Sequence, residues 1–160
     1  MNGTPTGVPF RHLVNVVQMA DFDLDQAVVI LRRNGYDVTD AAALKERAGY
    51  AIRWLKEFAP EEVKFSVQRQ LPEEAKTLEE GQRSFLRRLA EALPGAEGGE
   101  AIHALVYNLA KESGLPKPTA AFEAIYLAFL GRRQGPRAGW FLAFLDRDLV
   151  VRRLREAAGG

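Results

Sequence analysis

An all-α fold follows from three features of the sequence. Apolar residues recur every three to four positions along most of the chain, and most of the segments they define are closed by glycine or proline. No stretch alternates apolar and polar residues as a half-buried strand does, with only a weak trace of it at 63–68. Short connections between such segments make successive helices antiparallel neighbours. The expectation is a helical bundle of two packed helical subdomains. A disordered leader occupies 1–7, a first helical subdomain 8–64, a connector 65–76 and a second helical subdomain 77–160.

Taken in order, Met1 to Gly7 carries no apolar period and reads as a loose leader. Pro9 suits the opening turn of a helix over 9–20, whose stripe is Phe10, Leu13, Val14 and Val17. Asp21 and Asp23 are natural N-caps for a second helix that turns Leu24, Ala27, Val28 and Leu31 inward. Asn34-Gly35 stops it, and Arg32-Arg33 suits the negative end of its dipole. Thr39 or Asp40 caps a third helix reaching Phe58, with Leu44, Ala48, Ala51, Ile52 and Leu55 on one face. Pro60-Glu-Glu62 starts a single turn, and the stretch after it has no helical period until Thr77-Leu-Glu-Glu80, read as a capping box. Leu78, Phe85, Leu86, Leu89 and Leu93 follow as the stripe of that helix. Ile102, Leu105, Val106 and Leu109 mark the next, ended by Gly114, and Pro118 opens another carrying Phe122, Ile125, Tyr126, Phe129 and Leu130. Gly131 stops that helix, Trp140 to Leu145 forms a short apolar turn or helix, and Asp146 caps the last one. In that last helix Leu149, Val150 and Leu154 are expected inside, and Arg147, Arg152, Arg153 and Arg155 outside.

Composition narrows the function. With 160 residues, 47 % hydrophobic and 27 % charged, the chain has the make-up of an ordinary globular protein. It holds no apolar run near the roughly 20 residues that span a bilayer and no secretory signal pattern, so no membrane partner and a cytoplasmic location are expected. The absence of cysteine fits a reducing compartment and removes disulfides and thiolate metal sites. His12 and His103 stand far apart in sequence, which argues against a metal centre or a histidine-based triad. Phosphate-loop, nucleophile-elbow and zinc-protease motifs are missing, and the pairs Glu61-Glu62, Glu73-Glu74 and Glu79-Glu80 sit at helix starts or in the connector. Nothing here reads as an enzyme by itself.

Charge is unevenly spread. Residues 1–80 hold 10 Lys and Arg against 13 Asp and Glu, residues 81–160 hold 12 against 8, and from Gly131 onward 7 arginines face 3 acids. A positive end on a nearly neutral chain fits an anionic partner. The segment 131–141 adds specific parts. Arg132, Arg133 and Arg137 can meet phosphates or base edges, Gly135, Pro136 and Gly139 shape a tight turn, and Trp140 and Phe141 offer rings on which bases could stack. These are the candidate RNA-binding residues. A structural role competes for the same residues: Gly131 and Gly135 as caps, Pro136 as a turn former, Trp140 and Phe141 as core. So does a helical protein–protein interaction module that docks a partner through an exposed Trp140/Phe141 edge.

Two stretches carry a family resemblance. Tyr126-Leu-Ala-Phe-Leu-Gly131, followed by Gly135-Pro-Arg-Ala-Gly-Trp-Phe-Leu-Ala-Phe-Leu-Asp146, resembles the end of class I lysyl-tRNA synthetases. Pro9-Phe-Arg-His-Leu-Val-Asn-Val-Val-Gln18 resembles the segment after their catalytic signature loop, and the likeness extends over about residues 8–157. Glutamyl-tRNA synthetases share a related, shorter Gly/Pro loop. The resemblance implies an α-helical cage that binds the tRNA anticodon, with the loop at Gly135 to Phe141 touching anticodon bases. It implies lysine tRNA as partner, through its anticodon loop, and no DNA. The His-Ile-Gly-His and Lys-Met-Ser-Lys-Ser elements of the catalytic domain do not occur. The chain is therefore expected to be the anticodon-binding part alone, not itself a ligase. It would need no cofactor, while ATP and lysine would bind the catalytic domain of the parent synthetase.

Overall fold

A computed structural model describes residues 8–159. The leader expected at 1–7 lies outside the described residues. Within them are eight α-helices and no strand, as the spacing of apolar residues requires. The chain divides into two compact units, one ending at Ser66 and the other beginning at Val67.

The first unit contains α1 (Phe10–Met19), α2 (Leu24–Arg33) and α3 (Ala41–Glu57), followed by a 3₁₀ turn at Glu61–Val63. Leu13, Val16 and Val17 of α1, Ala27 and Leu31 of α2, and Leu44, Ala48, Ala51 and Leu55 of α3 are buried, and α3 packs against both other helices. Each leucine or valine withdrawn from water in this way contributes about 1.5–3 kcal/mol. Asp23 caps α2 through the Gln26 N–H, and Asp40 caps α3 through the Ala43 N–H. Asp21, expected as an alternative cap, instead takes a left-handed backbone at φ 55°, as does Phe22 at φ 65°. Asp tolerates that region through local hydrogen bonding, and the pair turns the chain sharply between α1 and α2. Buried Gln18 then ties down the end of the unit: its amide nitrogen donates to the Val63 carbonyl, and its carbonyl accepts the Phe65 N–H.

The second unit contains a 3₁₀ turn at Glu73–Thr77, then α4 (Glu80–Ala92), α5 (Gly99–Glu112), α6 (Pro118–Phe129), α7 (Ala138–Phe144) and α8 (Arg147–Ala157), with a further 3₁₀ turn at Leu93–Gly95. The capping box of α4 is Glu79 with Gln82, not Thr77 with Glu80. Both pairs have the spacing of three. Thr77, however, spends its hydroxyl on the Glu74 carbonyl inside the 3₁₀ turn, and Leu78 is buried ahead of the helix. α4 packs against α5, α6 and α8, while α7 lies along α5. Asp146 caps α8 through the Leu149 N–H, as expected.

The arginines of α8 do not all face outward. Arg152 and Arg155 are exposed, but Arg153 is 2 % exposed and Arg147 is half-buried. Arg147 donates to the carbonyls of Leu93 (2.7 Å) and Ala96 (2.9 Å). Arg153 donates to Ala128 O at 3.2 Å and Gln68 O at 2.9 Å, and its Nε lies 3.5 Å from Glu156 without hydrogen-bond geometry. Ala128 belongs to the last turn of α6, so the buried cation sits at the negative end of that helix dipole. The helical phase allows this: position 153 stands three residues from Val150 and four from Ala157, both buried.

Candidate nucleic-acid interface

The candidate residues fall on the corner between α6 and α7, and its lower foot is the end of α6. The N–H groups of Leu130 (2.7 Å) and Gly131 (3.1 Å) both donate to Tyr126 O, and Gly131 takes φ 74°, which a residue without Cβ adopts freely. The neighbouring Phe129 carbonyl accepts the Gln68 N–H at 2.8 Å. Gln68 is the residue whose own carbonyl Arg153 holds. Pro72 and Glu74 lie behind Gly131, leaving 3.1–3.2 Å for any Cβ there. The end of α6 is thus fixed from two sides before the corner begins.

Above that foot, Arg132 turns its Nε onto Gln134 O at 3.0 Å. Arg133 is exposed and lies 3.8 Å from Glu123, a long contact between solvated side chains that contributes little. Gly135 runs against the Tyr126 ring and Leu130, where a side chain would collide. The Tyr126 hydroxyl donates to Pro136 O at 2.7 Å, and the Ala138 N–H is directed at the same hydroxyl oxygen. Burial raises the pKa of this phenol above its ordinary value of 10.0, with the Ala138 hydrogen bond opposing the rise. Arg137 stands between those two anchored residues. It is exposed at the N-cap of α7.

The rings behave differently from the guanidinium groups. Phe141 is 1 % exposed and meets Phe129 edge-on at 5.8 Å, so it is a core residue that no base reaches. Trp140 is half-buried, with its indole laid on Gly99 at the start of α5, and a Cβ on Gly99 would overlap the ring. One indole face is therefore covered. Gly139 is buried beside the Gly99 carbonyl and His103, so it serves helix contact rather than ligand approach. Of the Trp140/Phe141 edge on which a protein-docking module would depend, Phe141 is buried in the unit and Trp140 is half-buried. Phe141 and Leu142 continue the core of α7 because that short helix packs almost wholly on α5.

The structure thus brings Arg132, Arg133, Gly135, Pro136 and Arg137 together at a tethered turn, and assigns Gly139, Trp140 and Phe141 to its support. Sequence reasoning leaves Gln68 unnamed, puts Arg153 on the outer face of the last helix and reads Tyr126 as one more apolar ring of α6. The signal for it was a hydroxyl on a buried stripe ten residues before a proline turn.

Residues 15–158 match the family model described as an anticodon binding domain. The lysine–tRNA ligase of Archaeoglobus fulgidus is 41 % identical over 152 residues, covering 94 % of this chain and 30 % of that protein. That of Methanosarcina barkeri is 36 % identical over 169 residues, covering 94 % and 31 %. That of Thermoplasma volcanium is 34 % identical over 157 residues, covering 96 % and 30 %. The chain spans about 30 % of the length of these curated relatives.

Proposed function

The chain belongs to the anticodon-binding-domain family, and from that premise we propose that it grips the anticodon loop of lysine tRNA through the corner between α6 and α7. In this reading Arg137 reads a base edge, while Arg132 and Arg133 meet phosphates on either side of it. A planar guanidinium offers two parallel donors, which suits a base edge, and a looser contact suffices for phosphate. The backbone at Gly135 and Pro136 lets the loop approach. Stacking on Phe141 has no part in this reading, and Trp140 can offer at most the parts of its ring not covered by Gly99.

Lysine rather than glutamate tRNA is favoured because the relatives named above are lysine–tRNA ligases. The ligation itself, with ATP and lysine, would belong to a catalytic domain of class I type working with this one in the cytoplasm. This chain supplies recognition and no bond-making group. The observation that carries the reading is Arg137, exposed between two hydrogen-bonded residues of a tethered turn. Titration of the protein with lysine tRNA and with an unrelated tRNA, at several salt concentrations, tests it. Tighter binding of lysine tRNA at every salt supports base reading, and equal binding rules it out. Affinity that does not fall with salt rules out phosphate contact.

A further inference from the structure

We infer that Tyr126 is the positioning residue for anticodon reading: its hydroxyl holds Pro136 and Ala138 on either side of Arg137, fixing the direction in which that guanidinium leaves the protein. The inference rests on the proposed anticodon reading and deepens it, since the family match names no residue.

Geometry supports it in three steps. First, the hydroxyl is the one polar atom of the α6 stripe that reaches the corner, donating to Pro136 O at 2.7 Å. The Ala138 N–H is directed at the same oxygen, so the phenol engages the residue before and the residue after Arg137. Second, the phenol itself is held in place. Tyr126 is 9 % exposed, Gly135 lies against its ring, and its own carbonyl accepts the N–H groups of Leu130 and Gly131. One residue therefore anchors both ends of the turn, at 130–131 through its carbonyl and at 136–138 through its hydroxyl. Third, α7 is only 7 residues long and Arg137 is its N-cap with no side-chain capping bond, so the helix holds that residue only through its carbonyl, which accepts the Phe141 N–H at 2.9 Å. A base edge is read bidentately only if the guanidinium arrives at a defined angle, whereas a phosphate accepts many.

The test is a double-mutant cycle on tRNA discrimination. Tyr126→Phe keeps the ring and removes only the hydroxyl. Dissociation constants are measured for lysine tRNA and for the same tRNA with its anticodon replaced, in the parent, Y126F, R137A and the double variant. Loss of the hydroxyl's two hydrogen bonds predicts that Y126F lowers the parent's preference for the native anticodon by about tenfold or more. The slope of affinity against salt should stay unchanged, and Y126F should add nothing once Arg137 is alanine. Three results overturn the inference: a preference kept intact in Y126F, a loss equal for both tRNAs, or a full additional loss in the R137A background. A parent that does not distinguish the two tRNAs overturns instead the anticodon reading on which the inference rests. Hydrogen exchange in the parent is a second test, independent of any variant. The Ala138 amide should be protected to the level of the α6 interior, and exchange at the rate of an open loop removes the clamp.

Discussion

Among the described residues, Arg137 is the corner arginine with neither a salt bridge nor a side-chain hydrogen bond, while Arg132 leans on Gln134 O and Arg133 on Glu123. Arg137→Ala should therefore cost about 1–3 kcal/mol of binding to lysine tRNA if it meets a base edge bidentately, and leave thermal stability within about 0.5 kcal/mol. Parallel tRNA titration and thermal melting check both halves. In the first unit, His12 Nδ1 lies 2.9 Å from the Tyr36 hydroxyl. Burial, with Arg11 adding to it, depresses the His12 pKa below 6.5. A base whose folded pKa is depressed contributes stability above its unfolded value and loses it on acidification. Stability of the parent should fall as pH drops below about 6.5, and His12→Gln should flatten that part of the profile in denaturant titrations. Residue chemistry misleads in both directions at this scale. Arginine type placed Arg153 outside although its helical phase lies beside Val150 and Ala157, and ring type grouped Tyr126 with phenylalanines although its hydroxyl serves a turn ten residues on. Phase is local and was legible. The partners of Arg153 and Tyr126 are set by tertiary packing, which no periodicity encodes.

Among the elements, α7 shows most plainly how packing overrides local preference. Seven residues are too few to hold a helix in water, so α7 exists through its contact with α5. Gly99 and Gly139 permit the approach, and Gly139 carries a backbone close to the Gly99 carbonyl and to His103. Gly139→Ala should destabilise the second unit by about 1–3 kcal/mol or more through overpacking, measured as a lower denaturation midpoint. The helices were legible because their stripes run at constant phase and most of them stop at glycine or proline, as at Gly35, Gly114 and Gly131; α1 and α7 end without either. Caps were legible to within a residue or two: Asp23, Asp40 and Asp146 stand where the pattern put them, while the α4 box moved from Thr77 to Glu79. Two overlapping sequence patterns offered the same spacing there, and the burial of Leu78 decided between them. Asp146→Ala should cost about 0.5–2 kcal/mol, read from the same denaturation curves.

At the scale of the whole molecule, the positive end of the chain is less basic to a ligand than its composition suggests. Of the arginines after Gly131, Arg147 and Arg153 spend their donors on backbone carbonyls, and Arg153 is buried. The charge left for an anion is concentrated at the corner and at Arg152 and Arg155. Counterion release then predicts a slope of about −0.7 per phosphate contacted on a single strand, so replacing Arg132 and Arg133 together by alanine should flatten it by about 1.4. Anticodon preference should survive that change, since base reading is assigned to Arg137. The measurement that bears most directly on the account is an anticodon transplant. Lysine tRNA and a copy differing only in its anticodon triplet are titrated against the parent protein at one salt concentration. The account predicts clearly tighter binding of the native triplet. Equal affinity for the two would contradict it.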